Sequence, residues 1–205
     1  MNRISIRQTR VSLFLISLTF LAMWIEFVIC NFITLNMPYR DLINLLALYL
    51  FSLFLPAVGI LVFIKNTRRI SPRWYWGVPF LIGLILNTFV RDFTFMVPFN
   101  PDAVNLFYGQ PFLSNFVTFD PTTKDIIAIF FSAAVALFCL SVPEEKRKKL
   151  MLPFALSLIA AFSNLIHFIV GWTTVKSIVV YYSFLVSLIA SLIIGFYFLV
   201  IADSF

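Results

Sequence analysis

An all-α, polytopic integral membrane protein is the fold class the sequence predicts: a single domain of six transmembrane helices with both termini cytoplasmic. Three observations predict it. The 205 residues are 61% hydrophobic and 12% charged, where soluble domains hold about 45–50% apolar and about 25% charged residues. Six apolar stretches reach the roughly 20 residues that a spanning helix needs. The basic residues fall in alternate connections, as the positive-inside rule requires.

Span 1 is expected over 11–32. It follows MNRISIRQTR, a basic start that a signal peptide would share. No small-x-small cleavage site follows, so the run reads as an uncleaved span. Span 2 is expected over 42–64, with Pro56 as a kink. Span 3 is expected over 74–95 and carries the adjacent pair Arg91–Asp92 within LILNTFVRDFTFMVPF. A long outer segment, 96–124, comes next, with Pro98, Pro101, Pro111 and Pro121 among its turn residues. Its aromatics include Phe107, Tyr108 and Phe112, and a loop so built is expected to be ordered over the outer mouth of the bundle. Interfacial anchoring explains the same aromatics. Spans 4, 5 and 6 are expected over 126–142, 150–172 and 178–201.

Orientation follows from charge. Arg3, Arg7 and Arg10 precede span 1. Lys65, Arg68, Arg69 and Arg73 separate spans 2 and 3. Lys146, Arg147, Lys148 and Lys149 separate spans 4 and 5. Eleven of the 15 basic residues thus lie on one side, and only Arg40, Arg91, Lys124 and Lys176 on the other. That bias makes the first side cytoplasmic. The expected location is integral to a plasma membrane of prokaryotic type.

Depth follows from orientation at about 1.5 Å of rise per residue. Glu26, Arg91, Asp92, Asn164 and His167 all fall roughly 21–27 Å from the inner surface of a hydrocarbon core about 30 Å thick. Asp41, Asn44, Lys124, Asp125 and the start of span 6 reach the same layer from the outer side. The expectation is one polar layer, open outward beneath the aromatic loop. Glu26 is expected to pair with Arg91, which points away from Asp92. Asp92 then has His167 or Lys124 as partner, or simply snorkels with Arg91 to the headgroups. A neutral Glu26 bonded to a carbonyl is the alternative for that residue.

Small and polar residues mark the faces that meet other helices. Ser183, Ser187, Ser191 and Gly195 make a stripe along span 6, and Ser157, Ala160, Asn164, His167 and Gly171 make one along span 5. Gly83, Asn87 and Arg91 recur at four-residue spacing on span 3. Packing accounts for most of these. The span 6 stripe also offers a surface for a membrane-protein partner.

Several function classes find no support. The net charge of +6 flanks apolar spans, so it serves orientation rather than nucleic acid. Cys30 and Cys139 are expected at different depths, which precludes a disulfide or a shared metal site. No phosphate loop, dinucleotide fingerprint, nucleophile elbow or HExxH is present, and no cofactor is expected. In layout the chain resembles the vitamin-binding S-components of energy-coupling transporters, six-span proteins with an outward pocket under a loop. It lacks their small-residue contact motif, since span 1 reads LFLISLTFLAMW, and no residue role is carried over.

The leading expectation is a binding or transport component that takes a small or amphipathic ligand from the outer side. Glu26, Asn87, Arg91, Asp92, Asn164 and His167 would line its cup, with Tyr108 in the lid. The alternatives are an accessory subunit of a larger membrane complex, and an enzyme acting on a lipid through His167 and an acid. A binding protein requires an open cavity at the polar layer, a subunit a filled bundle. An enzyme requires His167 within about 4 Å of Asp92, Glu26 or Asp125.

Overall fold

A computed structural model of the chain describes residues 3–29, 38–67, 74–89, 123–171 and 178–204. Among these residues the structure is all-helical, with no strand. The helices are α1 (Arg3–Val28), α2 (Arg40–Ala47), α3 (Leu55–Thr67), α4 (Gly77–Phe89), α5 (Thr123–Ser141), the single turn α6 (Glu144–Arg147), α7 (Met151–Gly171) and α8 (Ile178–Ile201). Three segments are long and apolar enough to cross a membrane: Thr123–Ser141, Glu144–Gly171 and Tyr182–Ser204. Shorter apolar helices run over Arg10–Ala22, Tyr49–Lys65 and Gly77–Asn87.

Local chemistry sets the ends. α1 begins at Arg3 rather than at Val11, because nothing in RISIRQTR breaks a helix that is already apolar beyond it. α5 begins at Thr123, three residues before the expected start of span 4. Asp125 falls in its first turn, where a carboxylate complements the helix dipole. α5 stops before Pro143, since the residue preceding proline disfavours the helical region. The Pro143 carbonyl then accepts from the N–H groups of Lys146 and Arg147 at 3.0 and 3.1 Å. Arg147 Nη2 reaches back to the carbonyls of Leu140 and Val142 at 3.1 and 3.4 Å, capping the C-terminal end of α5.

Between α2 and α3 the chain stays helical through wide turns over Leu48–Phe54, and the Leu55 N–H reaches the Leu50 carbonyl. Pro56 follows at once. Its ring would strike the carbonyl four residues back and it has no N–H to give, so the widened register absorbs the misfit that the sequence places there as a kink.

The helices form a closed ring in the order α3–α1–α8–α7–α5–α4. Phe63 of α3 closes it against Trp76, just before α4, and Phe80 of α4, with ring centroids 5.3 and 5.7 Å apart. Neighbours run antiparallel. Trp76 meets Phe138 near the end of α5, while Asn87 near the end of α4 shares a cavity wall with Lys124 at the start of α5. The Tyr197 hydroxyl near the end of α8 donates to the Lys149 carbonyl at 2.6 Å, and Lys149 Nζ donates to the Ser204 carbonyl at 2.9 Å.

Two glycines admit the closest approaches. A Cβ on Gly59 would collide with Thr19 Oγ1 and stand 3.0 Å from the Leu15 carbonyl oxygen of α1. A Cβ on Gly83 would stand 2.6 Å from the Phe131 ring of α5. The ring is solid at one end. Phe63, Trp76, Phe80 and Phe138 interlock there, largely edge to face, over a buried apolar core that includes Leu13, Ile60, Leu150 and Phe198.

Burial runs against the pattern of a water-soluble fold. On α7, Ser157, Ser163, Asn164 and His167 are buried while Phe162, Ile166 and Ile169 are exposed. On α8, Ser183 and Ser187 are buried while Phe196 and Val200 are exposed. Polar side chains inward and bulky apolar ones outward is the arrangement that a lipid surround favours. Three long apolar helices and these apolar outer surfaces are compatible with an integral membrane protein.

Candidate functional site

The end of the ring opposite the aromatic plug is hollow. A cavity of about 190 Å³ lies between five helices. Phe20 and Trp24 of α1 form one side. Asn87 comes from α4, and Lys124, Asp125, Phe131 and Ser132 come from α5. Asn164 comes from α7, and Phe184, Ser187 and Ser191 come from α8. Apolar walls with a few convergent polar groups are the usual make-up of a ligand site. Lys124 is exposed and Asp125 buried, so the cavity reaches the surface beside Lys124 and carries its carboxylate deeper.

Asp125 is held from the side away from the cavity. His167 of α7 brings Nδ1 to 2.9 Å from Asp125 Oδ1, and its side chain is 1% exposed. The two buried side chains thus make a close polar contact between α5 and α7. His167 is not part of the cavity wall. A ligand therefore meets the Asp125 carboxylate, with His167 fixing the carboxylate in place.

Asn164 is fixed as firmly. Its Nδ2 donates to the Ala160 carbonyl one turn back at 2.8 Å and to Ser187 Oγ across the α7–α8 interface. On the opposite side, Trp24 Nε1 donates to the Leu188 carbonyl at 3.0 Å. The Asn164–Ser187 and Trp24–Leu188 contacts each join a cavity-lining side chain to a neighbouring helix, so these groups arrive oriented.

The expected site residues fall into three groups. Asn87 and Asn164 stand on the cavity wall, and His167 stands behind it. Glu26 lies in α1, two residues beyond Trp24, and only its place in that helix is described. Arg91, Asp92 and Tyr108 lie outside the described residues, and with them the expected Glu26–Arg91 pair and the loop over the mouth. The described acidic partner of His167 is Asp125, where the sequence analysis offered His167 to Asp92. A signal for this pair exists in the chain: Asp125 and His167 both lie 21 residues from Lys146. A tight connection about that point brings them to one level on adjacent antiparallel helices.

The span 6 stripe is largely taken up inside the molecule. Ser183 and Ser187 are buried. A Cβ on Gly195 would stand 3.3 Å from Leu21 Cγ and 3.4 Å from the Ser17 carbonyl oxygen of α1. Ser191 lines the cavity. Cys139 is free and buried, and Cys30 lies outside the described residues. Among the described residues no three His, Cys, Asp or Glu side chains converge on one point.

Comparison with protein-family models, with curated proteins and with solved structures finds no match for this chain.

Proposed function

We propose that the protein is a six-span membrane component, with both termini cytoplasmic, that binds a small or amphipathic ligand from the outer side and holds or transports it. The observation that carries this reading is the cavity, with four of its five helices contributing polar groups to its wall. The antiparallel packing of α4 with α5, α5 with α7, α7 with α8 and α8 with α1 supports the six-span count. The basic residues that read as cytoplasmic, Lys146 to Lys149, lie at the plugged end, and the cavity lies at the other. Membrane lipids surround the ring.

Cysteine accessibility tests this. In a chain with Cys30 and Cys139 replaced by Ser, Ser132→Cys and Ser191→Cys should react with a membrane-impermeant thiol reagent added to intact cells. Lys148→Cys should react only after permeabilisation. No reaction at 132 and 191 from either side would mean a filled bundle and would end the proposal.

A lipid-directed enzyme is the second reading, and the 2.9 Å approach of His167 to Asp125 beside the cavity favours it. Such a pair is the orienting half of a general-base unit. It ranks second because the histidine contributes nothing to the cavity wall. Product formation from added phospholipid, abolished by His167→Gln, would reverse the ranking. An accessory subunit presenting the span 6 stripe to a partner has less support, because that stripe is buried against α1 and α7.

A further inference from the structure

Trp24 has two sides. One lines the polar cavity; the other lines a groove of about 390 Å³ in the seam between α1 and α8. The groove is bounded by Leu21, Ile25, Val28, Ile29, Leu192 and Phe196, all apolar. Ile25 and Phe196 are exposed, so the groove opens laterally, where an integral membrane protein meets acyl chains. A single indole, tied to the Leu188 carbonyl at 3.0 Å, separates a compartment suited to a head group from one suited to a hydrocarbon tail.

The cavity also discriminates between head groups. Its buried acidic side chain among the described residues is Asp125, and its aromatic walls include Phe20, Trp24, Phe131 and Phe184. A carboxylate among aromatic faces is the environment that recognises an ammonium. Among the described residues the cavity-lining cation is Lys124, which is exposed.

Resting on the binding function proposed above, we infer that cavity and groove hold one molecule: a single-chain amphiphile with an ammonium head. The head sits at Asp125, and the tail passes Trp24 into the α1–α8 seam. The seam is then the lateral route by which the molecule enters from the bilayer.

The test uses the full chain in phosphatidylcholine nanodiscs and a dodecylamine bearing a photoreactive diazirine at the far end of its chain. After irradiation, mass spectrometry should find label on 21–29 and 192–196. Excess dodecylamine should remove that label, whereas dodecanoate and dodecanol should not. Asp125→Asn should weaken the competition about tenfold or more, as loss of a charge-assisted contact does, and Phe162→Ala, on the exposed face of α7, should not weaken it. Leu192→Trp, which fills the groove from its lipid side, should lower the labelling without touching the head-group cavity. Label that no amphiphile displaces would show that the groove holds bulk lipid, and would overturn the inference. Equal competition by all three head groups would overturn the ammonium assignment while leaving a binding cavity. Failure of that binding function itself is read separately, in the cysteine reactions at 132 and 191.

Discussion

Asp125 and His167 stand on adjacent antiparallel helices with Oδ1 and Nδ1 2.9 Å apart, both almost wholly buried. The pair joins the first turn of α5 to the last turns of α7 at the level of the cavity. Removing one member leaves the other buried without it, so His167→Ala should cost about 3–5 kcal/mol. Replacing both, as Asp125→Asn with His167→Gln, should cost less than the sum of the single changes. Denaturation of the four proteins in detergent gives the coupling. Additive losses would mean that the two groups do not act as a pair.

The α1–α3 contact depends on the missing side chain of Gly59. Gly59→Ala should destabilise by about 1–3 kcal/mol, because the new methyl meets Thr19 and the α1 backbone. Gly195→Ala should lose less, since its nearest neighbours stand at 3.3–3.4 Å and the closest is a side-chain carbon of Leu21. Melting temperatures of the two variants should rank in that order.

The aromatic plug should be the most sensitive apolar region. Phe63 touches Trp76, Phe80 and Phe138, with centroids 5.3, 5.7 and 4.8 Å away. Phe63→Ala should cost about 3–5 kcal/mol, the range for emptying a buried aromatic site. Phe162→Ala, on the exposed face of α7, should change stability little. Equal losses at the two positions would place Phe63 outside the packed end.

The Asn164–Ser187 contact should contribute modestly to stability. Ser187→Ala should cost about 0.6 kcal/mol, the average for a polar contact between membrane helices, because Asn164 keeps its bond to the Ala160 carbonyl. Its effect on ligand affinity should be larger than its effect on stability, since both residues line the cavity. Titration of the dodecylamine probe against each variant compares the two effects.

Much of this was legible before any fold was in hand. The helix expected over 178–201 runs Ile178–Ile201, and the helix expected over 150–172 matches α7 to within one residue. Asp125, Asn164 and His167, expected in one layer, share one end of the ring. The start of α5 was less legible, because TTKD reads as loop until its carboxylate is seen in the first helical turn. For the same reason Asp125 was absent from the expected cup.

By itself the sequence determined the all-helical class and the extents of the last two helices. Those properties depend on each segment alone, through its apolar length and its flanking charge. Only the tertiary structure decided which helices are neighbours, and hence that His167 belongs with Asp125 and that Trp24 borders both the cavity and the α1–α8 groove. Neighbour choice rests on pairwise fit, as at Gly59 against Leu15 and Thr19, or Gly83 against Phe131. Such fit exists only once two surfaces meet, and hydropathy along one chain carries no record of it.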